Sequence, residues 1–250
     1  MQRNQPAGVP PLALTGERTL PDVPEENYWY RRHLAVYEWI ARRVAGLRVI
    51  DMASGEGYGT AVLARRAAAV VGVEANPEAF EHARLRYGAA NVRFERALVE
   101  EFAEPADAVV FLQTVEHLQD PSATLAHFRS VLGGGVLYVS TPNVLTLAPK
   151  GAERSDNPWH VREYRPEEFA QLCRGVFGRV ELYGLYHARK LRLHELALRL
   201  GWDRVHAALH LTGPFYDRFT PAISETDFVL RRGEPSELHR ALDLLAVCRA

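Results

Sequence analysis

Short, almost wholly apolar runs alternate along this chain with stretches whose apolar positions recur at spacings of three and four. The runs LRVIDMA (47–53), AVVGVEA (69–75), NVRFERA (91–97), DAVVFLQT (107–114) and GVLYVST (135–141) predict five buried strands. RVELYGLYH (179–187) and DLLAVCR (243–249) predict two more. Between them, Tyr30, Leu34, Tyr37 and Ile40 mark an amphipathic helix over residues 26–45. Asn76-Pro77-Glu78 reads as N-cap, first-turn proline and first-turn acid, and opens a helix to about Tyr87. Asp120-Pro121 opens another that stops at Gly133, and Arg165-Pro166-Glu167-Glu168 starts one more. Apolar strands separated by helices predict an α/β fold with a mostly parallel sheet covered on both faces.

Three regions depart from this rhythm. Residues 1–25, with Pro6, Gly8, Pro10 and Pro11, read as a flexible arm before a single domain over 26–250. Residues 142–163 form a polar connection longer than usual, a length more often functional than not. Residues 188–223 read as a helical insertion capping the sheet rather than a membrane-surface helix, because the chain is close to neutral. Its 30 basic and 31 acidic residues leave a formal charge of −1, so no global attraction to nucleic acid or anionic membrane is expected. No apolar run approaches the roughly 18 residues of a spanning helix, and the first residues lack signal-peptide grammar. Cys173 and Cys248 read as reduced core thiols, so a cytoplasmic protein is expected, with no stable membrane association.

The richest stretch is Asp51-Met52-Ala53-Ser54-Gly55-Glu56-Gly57-Tyr58-Gly59, between the first strand and the following helix. Open α/β sheets bind ligands at that edge, and glycines let the backbone turn sharply there. Glu74 follows about 20 residues on, at the end of the second strand, where an acid suits a ribose diol. A dinucleotide site wants G-x-G-x-x-G, whereas the spacing here is G-x-G-x-G. Asp51 and Glu56 would repel a pyrophosphate but suit a cationic ligand such as an amino-acid ammonium.

Asp51, Gly55, Gly57 and Gly59, followed by Glu74, resemble the first motifs of the class I S-adenosylmethionine-dependent methyltransferases. The resemblance implies a Rossmann-like seven-stranded sheet, mostly parallel with the last strand antiparallel, and S-adenosyl-L-methionine as cofactor. Asp51, Gly55, Gly57, Glu74 and Gln113 would then surround the cofactor, with Ala97-Leu98 at the place where the family holds adenine. A nucleotide-dependent dehydrogenase and a non-catalytic cofactor-binding partner subunit are the readings from other classes.

Methyl transfer from a sulfonium is an in-line displacement, and an alcohol acceptor must lose a proton. The fourth strand ends in Gln113-Thr114-Val115-Glu116-His117, which offers His117 as a base. Glu116-His117 resembles part of the E-x-x-E-H motif of ubiquinone-pathway and small-RNA O-methyltransferases. That resemblance implies a divalent metal such as Mg²⁺ on Glu116, His117 and a later histidine, here His160, although Gln113 stands where the first acid is expected. Without a metal, Glu116 and His160 would assist His117 directly; the alternative is that Glu116 only orients His117 or caps the next turn and His160 only shapes its loop. Asn143, Trp159 and Glu163 are candidates for acceptor contact, as are Tyr28, Trp29 and His33 before the first strand. The segments T-G-E-R-T (15–19), E-N-Y-W-Y-R-R-H (26–33), V-E-H (115–117) and N-P-W-H (157–160) resemble actinobacterial sugar O-methyltransferases of methylmannose and methylglucose polysaccharide pathways. The expected activity is therefore O-methylation of a small carbohydrate, first a mannoside at its 1-OH. A quinone, phenol or other small-molecule hydroxyl is the alternative.

Overall fold

The computed structural model describes residues 7–14, 18–149 and 151–250; Pro6 and residues 15–17 of the quoted N-terminal segment lie outside these. Eight strands form one sheet: β1 (Arg48–Met52), β2 (Ala69–Val73), β3 (Val92–Glu95), β4 (Ala108–Leu112), β5 (Val136–Pro142), β6 (Arg179–His187), β7 (Phe228–Arg232) and β8 (Asp243–Arg249). Their order is β3-β2-β1-β4-β5-β8-β6-β7. Pairings among β1 to β5 are parallel, whereas β8 runs antiparallel to β5 and β6, and β7 antiparallel to β6.

The expected seven strands are all present, and β7 is an eighth. It escapes the pattern because an edge strand pairs on one side only and needs no long apolar run. Just Phe228 is buried, while Arg231 and Arg232 stand exposed and discourage pairing with another chain.

The helices are α1 (Asn27–Ala41), α2 (Tyr58–Ala64), α3 (Pro77–Tyr87), α4 (Pro121–Leu132), α5 (Val144–Leu147), α6 (Pro166–Arg174), α7 (Arg189–Arg199), α8 (Trp202–Ala208) and α9 (Thr212–Phe219). Local chemistry sets their ends. Asn76 caps α3 by accepting from the Glu78 and Ala79 amides, both at 3.0 Å. Asp120 caps α4 through the Ala123 amide at 2.9 Å, and Gly133 closes it at φ 60°.

The continuous apolar strands feed two cores by their two-residue period. On β4, Val109 and Phe111 pack with Leu125, Phe128 and Phe169 of α4 and α6. Ala108, Val110 and Leu112 point the other way, onto Leu34, Ile40, Val62 and Leu63 of α1 and α2. Cys173 and Cys248 are free and buried in the first core. The Cys173 side chain hydrogen-bonds that of Cys248, and this contact, with burial, pushes the Cys248 thiol up.

The N-terminal segment is not a loose extension over its described residues. Leu12, Leu20 and Val23 are buried together. The Pro10 carbonyl accepts from His82 Nδ1 at 2.7 Å, and Asp22 pairs with Arg86 at 2.5 Å. At the other end of the molecule, the insertion α7–α9 joins the core mainly through Leu191, Phe219 and Ile223.

Close helix–strand packing constrains one glycine sharply. A Cβ on Gly59 would lie 2.1 Å from the ring of Tyr37, itself buried against β1. Gly59→Ala should therefore lower unfolding free energy by about 1–3 kcal/mol or more, read by urea denaturation.

Candidate functional site

The carboxyl ends of β1, β2 and β4 converge where the strand order reverses, the usual ligand edge of an open α/β sheet. Ala53, Gly55 and Gly57 all adopt positive φ as the chain leaves β1. Glu74 then braces this turn: its carboxylate accepts from the Gly55 amide at 2.8 Å and the Asn76 amide at 2.9 Å. A chamber of about 470 Å³ opens there, walled by Ser54, Gly55, Glu74, Asn76, Gln113 and Tyr58 among others. Ser54 Oγ is buried at its wall with no hydrogen-bond partner among the described residues, an orphan group of the kind a polar ligand satisfies.

A second chamber of about 450 Å³ lies alongside, bounded by Trp29, Glu116, Pro142, Ser155, Asp156, Asn157 and His160. Arg18, Thr19, His33, Gln113 and His117 belong to both. The two chambers therefore share a wall made by these side chains. Gln113 sits at φ 52°, and its amide donates to Ser140 Oγ at 3.0 Å. Burial lowers the pKa of His33 to about 4, so its imidazole stands neutral in the shared wall.

The histidine cluster is built to present specific nitrogens. His117 Nδ1 lies 2.8 Å from the Trp159 carbonyl, which can only accept, so Nδ1 carries a proton and in the neutral ring the lone pair is on Nε2. His160 donates from Nδ1 to Glu163 at 2.6 Å and accepts at Nε2 from the Asn157 amide at 3.0 Å. Burial raises Glu163, but hydrogen bonds from Ser155 and His160 outweigh this and hold its carboxyl below the ordinary range. The two imidazoles meet edge to face at 5.1 Å. Glu116 is buried beside them, and burial pushes its pKa up to about 8. Its Oε2 has no hydrogen-bond partner among the described residues. Ligand atoms of Glu116, His117 and His160 lie within 4.8 Å of one another. A partnerless buried carboxylate oxygen beside two imidazoles is a donor set that fits a divalent cation once His160 Nε2 exchanges the Asn157 amide for the ion.

Several residues singled out from sequence take other positions. Asp51 is fully buried, accepting from Tyr37 at 3.1 Å and Thr60 at 2.7 Å, and so ties α1 and α2 to β1 instead of lining the chamber. Burial raises its pKa to about 7. Glu56 touches the chamber wall, yet its carboxylate is committed to Arg86, His82 and Tyr87 at 2.9–3.0 Å. Gly57 (φ 98°) lies behind the wall, where a Cβ would meet Ala83 at 2.8 Å. Ala97 and Leu98 are not among the chamber residues, and Leu98 is half-exposed.

Asn143 does not face the ligand edge either. Buried in its own turn, it donates to the carbonyls of Leu238, His239 and Ala241 and caps α5 through the Leu145 amide. Tyr28 points away, its hydroxyl 2.8 Å from His187 Nε2, next to the helical insertion. Trp29 and Trp159 do reach the site, one in each chamber, whereas Glu163 acts behind His160. Sequence reasoning missed Tyr58, Asn76, Ser155 and Asp156 as lining residues, since nothing in their local pattern distinguishes them from ordinary loop and helix positions.

Comparison with known proteins bears on this geometry. A family model described as a methyltransferase domain matches residues 28–196. A probable S-adenosylmethionine-dependent methyltransferase of Mycolicibacterium smegmatis is 34% identical over 245 residues, covering 94% of each chain. A ubiquinone biosynthesis O-methyltransferase of Pseudomonas fluorescens is 35% identical over 128 residues, 46% of this chain and 55% of that protein. Among solved structures, a possible histamine N-methyltransferase of Thermotoga maritima superimposes with a TM-score of 0.60 at 17% identity, covering 90% of this chain and 94% of that one. That likeness shows the fold alone. On the family match and the near full-length relative, the chain belongs to the S-adenosylmethionine-dependent methyltransferases.

Proposed function

We propose that this methyltransferase transfers the methyl group to a hydroxyl of a small carbohydrate, with a mannoside as the first acceptor to test. The observation that carries the reading is the pair of chambers sharing a wall that contains His117. The first chamber has the brace and size for the cofactor, and Glu74 would hold the ribose diol with the lone pairs left by the Gly55 and Asn76 amides. The second sets an apolar face of Trp29, Pro142, Leu147 and Pro149 beside the polar side chains of Ser155, Asp156, Asn157 and Glu26, which suits a sugar ring with one apolar face and hydroxyls at its rim.

When bound, S-adenosylmethionine supplies an electrophilic methyl carbon on a sulfonium. The chain then has to align an acceptor oxygen with that carbon and remove the proton of the hydroxyl. His117 Nε2 would take that proton as the acceptor oxygen is methylated, so that the acceptor would leave as a methyl ether and the spent donor as a neutral thioether. The Trp159 carbonyl keeps His117 in the required tautomer and stabilises the imidazolium that results. His33, neutral between the chambers, can donate or accept without adding charge beside a sulfonium.

The unpartnered Glu116 Oε2 favours a second reading of the same cluster. Glu116, His117 and His160 would hold a divalent cation, supplying positive charge beside the acceptor oxygen, and His117 would then bind the cation instead of the proton. Two imidazoles and one carboxylate suit Mn²⁺, Fe²⁺ or Zn²⁺ better than Mg²⁺, which prefers oxygen ligands.

Two measurements separate these readings. Activity after exhaustive chelation and gel filtration survives if His117 acts as the base, and is lost and restored by metal if the cation is required. A panel of mannosides, glucosides and catechols with labelled cofactor tests the acceptor, and methylation confined to catechols would exclude a sugar. Glu74→Gln is expected to weaken S-adenosylhomocysteine binding by roughly 10-fold or more, the worth of a charged hydrogen bond, as read by calorimetry.

A further inference from the structure

Helix α7 is apolar on two opposite sides. One side packs inward: Leu191 is buried in the core, and Leu198 and His194 line a groove with Tyr216 and Phe219. That side suffices to fold the helix against the protein. The other carries Leu193, Leu196 and Leu200, spaced i, i+3 and i+7, which are 69%, 54% and 81% exposed. Helix α8 and the turn after it repeat the spacing with Trp202, Val205 and Leu209, all exposed.

The exposed stripe is flanked by cations. At 100° per residue Arg192 and Arg199 fall on one border of it, Lys190 falls on the other, and Arg189 heads the helix. Residues 188–223 hold six arginine and lysine side chains against three carboxylates, in a chain whose whole formal charge is −1. Lys190 pairs with Asp227 and Arg199 with Glu195, so the local excess of positive charge beside the exposed leucines rests mainly on Arg189 and Arg192.

We infer that the insertion docks reversibly on an anionic lipid surface, with the leucine stripe at the acyl boundary and the arginines among the headgroups. Apolar burial and attraction to anionic headgroups add in such an arrangement. A second copy of the chain fits less well, because a two-fold contact would set the same arginines against each other. The docking is peripheral, since no helix among the described residues is long and apolar enough to cross a membrane.

The test is flotation of the full chain with phosphatidylglycerol–phosphatidylcholine vesicles and with phosphatidylcholine alone. The chain should float with the anionic vesicles, less so as salt rises. The triple variant Leu193→Ser, Leu196→Ser, Leu200→Ser should bind them at least about 10-fold more weakly with its thermal midpoint unchanged. Arg192→Glu with Arg199→Glu should do the same and serves as a second probe that leaves the leucines in place. Failure to float with anionic vesicles, equal flotation of the variants, or a dimer that the triple variant dissociates would each overturn the inference.

Discussion

His117→Ala should lower methyl transfer by roughly 10²–10⁴-fold while S-adenosylhomocysteine affinity stays nearly unchanged. The large effect follows from position: His117 is the one member of the cluster that borders both chambers, and its tautomer is fixed by a backbone carbonyl that the substitution leaves in place. Glu116 and His160 border only the second chamber, and both nitrogens of His160 are engaged by Glu163 and Asn157. Cofactor binding survives because the groups bracing the first chamber, Glu74 with the Gly55 and Asn76 amides, lie on other elements. Single-turnover assays with saturating acceptor, alongside calorimetry with S-adenosylhomocysteine, read the two quantities separately. Normal turnover in the variant would remove His117 from the chemistry under either reading of the cluster.

Arg32→Met is expected to cost about 3–5 kcal/mol of stability, because it strips the partner from a buried carboxylate. Arg32 on α1 grips Asp243 at the start of β8 with two hydrogen bonds, 2.7 and 2.5 Å long. Its Nη2 also donates to the Leu242 carbonyl at 2.7 Å, and Trp29 stacks on the guanidinium at 4.9 Å. Both side chains are nearly excluded from solvent. Asp243→Asn should cost less, since the amide oxygen still accepts, and Arg32→Met combined with Asp243→Leu should recover much of the loss. Urea unfolding of the single and double variants measures the coupling. Additive losses in the double variant would show that the pair is not the source of the effect.

The legibility of this protein in its sequence follows the range of the interactions. The braced glycine turn is local: strand, turn, helix and second-strand acid fall within 27 residues, from Arg48 to Glu74, and their spacing marks them. The helix caps at Asn76 and Asp120 are equally short-range. The second chamber draws on residues from 18 to 160, joined only by the packing of several elements, and no local pattern announces Ser155 or Asp156. Residue type also cannot say whether a polar group is offered to a ligand or spent on the protein. Asp51, Glu56 and Asn143 all have suitable chemistry, but Asp51 and Glu56 are consumed accepting from side chains, and Asn143 donating to backbone carbonyls, that the fold brings in. Strand β7 was invisible for the opposite reason: a free edge asks so little of its sequence that little is written there.

The place of β8 has a consequence for how the molecule comes into being. As the nascent chain emerges, β5 is made with one flank open, and its neighbour is not synthesised until about a hundred residues later. Throughout that interval an apolar strand and its unpaired backbone stay exposed to any other strand in the cell. Synthesis in the presence of a chaperone that shields such flanks should raise the yield of soluble protein, and chains stopped before Asp243 should collect as aggregates.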